Sequence, residues 1–118
     1  MRKFILAAAM SAFALPAFAI GNVSVVGQGG FFNGQATNQS GDFNVSATGQ
    51  LGIANTSVTN QLGTANLSGT GQLGILNNST TNQIGLANGS LTLQSGALHQ
   101  STTTQVGVGN VSVTTQTE

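Results

Sequence analysis

The 118-residue chain contains no cysteine, tryptophan or tyrosine, a single proline, and only 3% charged residues. Without cysteine, the fold can use neither disulfides nor thiolate metal sites. With so few aromatic residues, a conventional hydrophobic core would be thin. Ordering roughly 95 residues costs on the order of 100 kcal/mol in backbone entropy alone. A regular, repeated set of interactions therefore has to offset that cost.

Positive charge is confined to the start of the chain. Arg2 and Lys3 are the only basic residues besides His99, and the only acids are Asp42 and Glu118. Nucleic-acid binding needs cations that displace phosphate counterions, so the composition argues against a nucleic-acid partner. It also argues against electrostatic docking on anionic lipid. Little charge remains to oppose self-association, which most soluble proteins resist.

Residues 1–19 carry the three parts of a secretory signal in order. Arg2 and Lys3 form a basic start, residues 4–15 form an apolar run too short to span a bilayer, and 17–19 read Ala-Phe-Ala, a small-x-small cleavage site. We therefore predict a signal peptide over 1–19, a secreted product, and a mature domain over 20–118. A buried N-terminal helix is the alternative interpretation.

An eleven-residue repeat, Q-x-G-x-x-N-x-S-x-T-x, fills the mature domain. Its Gln column is Gln28, Gln39, Gln50, Gln61, Gln72, Gln83, Gln94, Gln105 and Gln116. Two residues later comes a Gly column of Gly30, Gly41, Gly52, Gly63, Gly74, Gly85, Gly96 and Gly107. Six residues before Gln comes an Asn column of Asn22, Asn33, Asn44, Asn55, Asn66, Asn77, Asn88 and Asn110, with His99 as the one substitute. Ser and Thr columns lie four and two residues before Gln, except at Gln35 and Val26. Self-similarity at a fixed period indicates stacked copies of one small unit.

Each repeat combines a strand signal with a corner signal. Seven residues, N-x-S-x-T-x-Q, alternate in type as β-strands do, and the four residues x-G-x-x connect to the next seven, with Gly supplying a positive φ. Strands are expected at 22–28, 33–39, 44–50, 55–61, 66–72, 77–83, 88–94, 99–105 and 110–116. Two repeats close one rung of 22 residues, and rungs stack in parallel about 4.8 Å apart. The predicted fold is all-β, an amyloid-like β-solenoid.

We expect the Asn, Ser, Thr and Gln columns to share the inner face of every strand. Amides could then hydrogen-bond between rungs as ladders, and Ser and Thr hydroxyls could do the same across strands. The opposite assignment, with these columns facing solvent, stays open. The apolar residues gather at the corners, where some could cap the interior and some could face water.

A second period of 22 residues distinguishes the two strands of a rung. Between the repeated columns, odd strands carry mostly apolar residues, such as Val25 and Leu67, whereas even strands carry mostly polar ones, such as Asn60 and Asn82. If the columns point inward, the apolar residues form an outward stripe on one sheet. We expect this stripe to be continuous along any fibre and to promote lateral contacts.

No catalytic constellation is visible in the sequence. His99 occupies an Asn column and has no neighbouring Cys, second His or carboxylate in the repeat, so we interpret it as a substitute ladder residue rather than a catalytic or metal-binding group. We interpret Asp42 as a turn residue, with a gatekeeper against self-assembly as the alternative. The sequence therefore predicts that the protein is not an enzyme and uses no cofactor or metal.

The pattern N-x-S-x-x-x-Q-x-G-x-x-N extends from Asn22 to Gln116. It resembles the curlin repeat, whose consensus is close to Q-x-G-x-x-N-x-A-x-x-x-Q. Curlins are the subunits of curli, the amyloid fibres of bacterial surfaces. Where curlins usually carry Ala and then an aliphatic residue inside, this chain carries Ser and Thr. The resemblance implies end-to-end polymerisation, a nucleator or companion curlin subunit, export through an outer-membrane pore, and a role in adhesion and biofilm matrix. It does not distinguish a major from a nucleator subunit.

A monomeric binding solenoid, in particular an ice-binding protein, is the alternative function. Ser-x-Thr recurs through the chain, as at Ser57 and Thr59, and regular hydroxyl rows on a flat sheet are what an ice-binding surface would present. This function requires the Ser and Thr columns to face solvent. It also requires capped ends that keep the solenoid monomeric.

Overall fold

The computed structural model describes residues 20–118, so the predicted signal peptide lies outside the described residues. Residues 20–118 form nine β-strands: β1 (Val23–Phe31), β2 (Gly34–Ser40), β3 (Val45–Ile53), β4 (Thr56–Thr64), β5 (Leu67–Ile75), β6 (Asn78–Leu86), β7 (Gly89–Ala97), β8 (Gln100–Val108) and β9 (Val111–Thr117). This part of the chain contains no helix, and hence none that is long and apolar enough to cross a membrane. The prediction of an all-β fold is confirmed.

The strands alternate between two parallel sheets. One sheet, which we call the odd sheet, has the order β1-β3-β5-β7-β9, and the other, the even sheet, has the order β2-β4-β6-β8. Paired residues are 22 positions apart, as in Gln50 with Gln72 in the odd sheet and Gln61 with Gln83 in the even sheet. The chain therefore winds as a β-solenoid in which each rung holds one strand of each sheet, as the 22-residue period predicts.

Seven of the nine strands are nine residues long rather than the predicted seven, and most corners are correspondingly shorter. β3 runs through Gly52 to Ile53, so that only Ala54 and Asn55 separate it from β4. The predicted four-residue corner is therefore wrong except between β2 and β3, where residues 41–44 connect the strands. Gly52 keeps a positive φ of 135° but lies inside the strand. A β-strand can pass through such a residue because glycine has no Cβ to clash with the backbone.

The residue before each Asn column position turns the corner in the left-handed conformation. Ala54 has a φ of 57°, which costs an L-residue on the order of 1–2 kcal/mol. Six other corners use a non-glycine residue in the same conformation: Phe32, Phe43, Ala65, Leu76, Ala87 and Leu98. The repeat conceals this position because seven of its copies hold Ala, Leu or Phe, none of which signals a positive φ, and only Gly21 and Gly109 do.

The interior of the solenoid is polar. Among the described residues no apolar side chain is buried, and every buried side chain belongs to the Asn, Ser, Thr or Gln column. In β3, for example, Ser46, Thr48 and Gln50 are buried while Ala47 and Gly49 are exposed. The structure thus places the four columns on the inner face, as expected. The apolar corner residues do not cap the interior, because side chains such as Leu51 and Leu62 remain more than half exposed.

Candidate functional site

The buried glutamine side chains form hydrogen bonds to the next rung and to the opposite sheet. Gln50 Nε2 donates one hydrogen bond to Gln72 Oε1 at 2.7 Å and another to the backbone carbonyl of Gly34, in the opposite sheet, at 3.0 Å. One ladder runs through Gln28, Gln50, Gln72, Gln94 and Gln116, and the other through Gln39, Gln61, Gln83 and Gln105. Every rung-to-rung bond points the same way, from the earlier Gln to the later one, so the stack has a direction.

The side chains of the Asn column form hydrogen bonds to backbone groups beside the corners. Asn44 Nδ2 donates to the carbonyl of Ser40, before the corner, and to the carbonyl of Gly63, in a later strand. Its Oδ1 accepts the backbone N–H of Asn66, one rung on, at 3.0 Å. A buried backbone group without a hydrogen bond is costly. The Asn side chain binds two carbonyls and one N–H beside its corner, which explains why the column recurs in every rung.

The Ser and Thr columns do not form the expected hydroxyl ladders. The hydroxyl oxygens of Ser46, Thr48, Ser57, Thr59, Ser68, Thr70, Ser79, Thr81, Ser90 and Thr92 are buried and make no hydrogen bond with the protein. In-register neighbours lie about 4.8 Å apart, whereas a hydroxyl hydrogen bond spans about 2.5–3.0 Å. The amide of Gln has the length to tilt along the stack and close that gap. Ser and Thr are too short to do so.

At most positions of the Gly column, an added Cβ would collide with the carbonyl of the next rung. A Cβ on Gly52 would come within 1.9 Å of the carbonyl oxygen of Gly74, one rung on, and a Cβ on Gly63 within 2.0 Å of that of Gly85. Only glycine fits there. Gly107 differs, because the nearest atom to its Cβ position would be Asn110 Nδ2 at 3.4 Å, and no further rung stacks on it among the described residues.

His99 takes the place of an Asn at the C-terminal end of the even sheet. Its backbone N–H donates to Asn77 Oδ1 at 3.1 Å, and its Nε2 lies 3.1 Å from the carbonyl oxygen of Ser95, four residues earlier. Both contacts reproduce contacts that Asn makes in other rungs. Within residues 20–118, no group of three or more His, Cys, Asp or Glu is placed to hold a metal ion.

The outer face of the even sheet carries a second, unexpected ladder. Asn38 Nδ2 donates to Asn60 Oδ1 at 2.9 Å, and Asn60 Nδ2 donates to Asn82 Oδ1 at 2.8 Å. Asn60 and Asn82 lie on the outer face, as expected from the sequence, but the ladder between them was not predicted. Their spacing of 22 residues is the signal that could have revealed the ladder.

The corner between β2 and β3 binds Ile20, the first of the described residues. The backbone nitrogen of Ile20 donates to Asp42 Oδ1 at 3.1 Å, and the backbone N–H of Phe43 donates to the carbonyl of Ile20 at 3.1 Å. The aromatic ring of Phe43 also lies against Gly21, where an added Cβ would come within 3.0 Å of it. Asp42 is thus more than a turn residue, because it binds the segment that leads into β1.

The two ends of the solenoid are open and complementary. Within residues 20–118, no strand pairs with the outer edges of β1 and β2 at one end or of β8 and β9 at the other. At the first end, Gln28 and Gln39 donate to the next rung, while no amide of residues 20–118 donates to their Oε1 atoms. At the second end, Gln105 and Gln116 each donate to one carbonyl and keep one Nε2–H unused. In the Gln ladders, one end therefore presents amide acceptors and the other presents amide donors.

Comparison with known proteins assigns no family to this chain. No protein-family model matches it, and no curated protein matches it.

Proposed function

We propose that the protein is a secreted structural subunit of a curli-like functional amyloid fibre that polymerises end to end. One observation carries this proposal: both ends of the stack expose unpaired strands, and the unused Gln donors at one end match the unused Gln acceptors at the other. When two such ends join, the unpaired strand edges of both copies become paired as in the interior rungs. Each new rung then gains the backbone and amide hydrogen bonds that the interior rungs already make.

The exposed edges lack the usual protection against self-association. Soluble proteins blunt sheet edges with charge, especially Lys, with Pro, or with a covering helix or loop. From residue 20 onward the sequence has no Lys, Arg or Pro, and its acids are Asp42 and Glu118 alone. Electrostatic repulsion between two copies is correspondingly weak, and this supports assembly at neutral pH.

The proposed location is an extracellular fibre on the cell surface, reached by cleavage after Ala19 and export through an outer-membrane pore. Cleavage at that bond would turn the Ile20 nitrogen, 3.1 Å from Asp42 Oδ1, into an α-ammonium group. The contact would then become an ion pair at the start of the mature domain. N-terminal sequencing of the secreted protein checks this step and should read Ile-Gly-Asn-Val. The proposed partners are other copies of the chain and a companion or nucleator curlin-like subunit.

Fibre formation is tested directly on the secreted protein at micromolar concentration and neutral pH. We expect thioflavin fluorescence to rise with time, fibres in electron micrographs, and a cross-β reflection near 4.7–4.8 Å along the fibre axis. A protein that stays monomeric and soluble for days under these conditions would contradict the proposal.

The ice-binding alternative loses the surface on which it depends. Ser57 and Thr59, which represent the Ser-x-Thr rows, are both 0% exposed. A hydroxyl row inside the solenoid cannot contact ice. No observation on the described residues favours this second function.

A further inference from the structure

We propose that successive subunits of the fibre join with a half-turn about the fibre axis, so that the odd sheet of one subunit continues as the even sheet of the next. This inference rests on the proposed end-to-end assembly and specifies its geometry. It follows from the number of strands and from the hydrogen-bonding groups at the two ends.

The ends of the solenoid are stepped because the described chain has an odd number of strands. The odd sheet holds five strands and the even sheet four. Consecutive strands alternate between the sheets, so each strand rises half a rung above the one before it. At one end β9 extends half a rung beyond β8, and at the other β1 extends half a rung beyond β2. A second copy has to fit this step.

Only one head-to-tail junction pairs both edges. When β1 of the next subunit pairs with β8, its β2 meets β9, and the winding continues as if the chain had a tenth strand. In the alternative junction, without a half-turn, β1 of the next subunit pairs with β9. Its β2 is then separated from β8 by the width of one missing strand. Those two edges would then lie inside the fibre without partners, and each unpaired buried backbone group costs about 1–3 kcal/mol.

The half-turn junction also continues the Gln column without exception, whereas Asn22 of the next subunit lies on His99, its Val26 on Thr103 and its Gln35 on Ser112. Extending the 22-residue register places Gln28 of the next subunit on Gln105, and its Gln39 on Gln116. The unused Nε2–H of Gln105 then meets the free Oε1 of Gln28, as Gln83 Nε2 meets Gln105 Oε1 within the chain. Gly30 of the next subunit lies on Gly107, so glycine stacks on glycine, as it does at Gly52 and Gly74 within the chain.

Head-to-head contact cannot replace this junction. Two C-terminal ends would bring the unused amide donors of Gln105 and Gln116 against the same donors of the other copy. Two N-terminal ends would likewise oppose acceptor to acceptor. Because both Gln ladders run in one direction, only head-to-tail contact matches a Gln donor with a Gln acceptor.

The half-turn redistributes the outer surface of the fibre. The apolar outer residues of the odd sheet, such as Val25, Leu67 and Leu91, would lie on one side in one subunit and on the opposite side in the next. The apolar stripe is then interrupted every four and a half rungs, about 22 Å, contrary to the continuous stripe that the repeat alone suggests. Each side of the fibre alternates apolar blocks with polar blocks.

Cross-linking through introduced cysteines tests the junction, since the sequence has no cysteine of its own. Val25, Thr102 and Val113 are all exposed on outer faces. In the half-turn junction, Val25 of one subunit stacks on Thr102 of its neighbour, about 4.8 Å away. In the junction without a half-turn, Val25 stacks on Val113 instead. The full-length chain is expressed with Val25→Cys and Thr102→Cys, or with Val25→Cys and Val113→Cys as the matched control, and the secreted protein is assembled and treated with a short bis-maleimide.

We expect covalent multimers from the Val25→Cys/Thr102→Cys fibres after dissolution, and monomer alone from the Val25→Cys/Val113→Cys fibres. Fibres that link only through the second pair, or through neither pair, overturn the half-turn and leave the proposed function standing. Failure of the unsubstituted protein to form fibres overturns the proposed function and, with it, this junction. Should the double variants alone fail to assemble, helical reconstruction of unsubstituted fibres decides the matter. The half-turn predicts a rotation near 180° with a rise of about 22 Å per subunit, whereas the alternative predicts no half-turn and a rise of about 24 Å.

Discussion

Gln61 donates its side-chain amide to Gln83 at 2.8 Å, and both side chains are almost completely buried, at 2% and 0% exposure. Gln61 also donates to the carbonyl of Val45 in the opposite sheet and accepts from Gln39. The Gln61 side chain is therefore the hydrogen-bond partner of three groups: Gln39 Nε2, Gln83 Oε1 and the carbonyl of Val45. The stability of this polar interior depends on such continuity, because a missing amide leaves groups in three strands without partners.

Gln61→Ala should therefore be far more damaging than Asn60→Ala, one residue away in the outer ladder. Removing the buried amide leaves unpaired groups on Gln39, Gln83 and Val45, so we expect the free energy of unfolding to fall by about 3 kcal/mol or more. Asn60 is only half-buried, and water can replace its partners, so we expect about 0.5–1 kcal/mol. Denaturant unfolding of freshly prepared monomer, together with thioflavin kinetics, measures both effects. Equal losses would show that the inner ladder has no special role.

Gly52→Ala should prevent folding of the stack, whereas Gly49→Ala in the same strand should be tolerated. A Cβ at Gly52 would lie 1.9 Å from the carbonyl oxygen of Gly74, and the φ of 135° is strained for alanine. A Cβ at Gly49 meets no atom within 4 Å. Circular dichroism of the soluble protein and the yield of fibres compare the two. Normal β-structure in the Gly52→Ala variant would mean that the rungs are farther apart than the structure shows.

Thr81→Val should stabilise the protein, which is unusual for the removal of a buried hydroxyl. Thr81 is 0% exposed and its hydroxyl makes no hydrogen bond with the protein. An unpaired buried polar group costs about 1–3 kcal/mol, and valine has the same shape without that group. We expect the free energy of unfolding to rise by about 1 kcal/mol or more, while Thr102→Val, on the exposed outer face, should stay within about 0.5 kcal/mol of the parent. A loss of stability at Thr81 would show that its hydroxyl has a partner.

The repeat was sufficient to predict the period, the parallel stacking and the inner face, because Gln and Asn columns without a slip leave few other arrangements. It did not predict the failure of the hydroxyl ladders, which depends on the reach of Ser and Thr side chains across a rung. Nor did it reveal the left-handed corner at Ala54, since alanine carries no signal for a positive φ. The consequence of an odd strand count became clear only from the stepped ends of the two sheets.

Lateral association of fibres should depend on the outer face of the odd sheet. Leu67 is the first outward residue of β5 and is 55% exposed, and with Val25 and Leu91 it contributes to an apolar surface that soluble proteins usually keep small. Leu67→Lys places a charge there without touching the inner ladders. We therefore expect single filaments to elongate at the parental rate but to bundle less and to adhere less to apolar surfaces.

Asn78→Lys is the matched control for this prediction. Asn78 is the first outward residue of β6 in the even sheet, it is exposed, and the substitution adds the same charge on the polar face. Filament width in electron micrographs and elongation rate are measured side by side for the two variants. If both reduce bundling equally, net charge rather than the apolar face governs lateral contact. Slower elongation in Leu67→Lys alone would show that this position contributes to the end-to-end junction, because a residue confined to the outer face leaves the strand edges and their amide ladders unchanged.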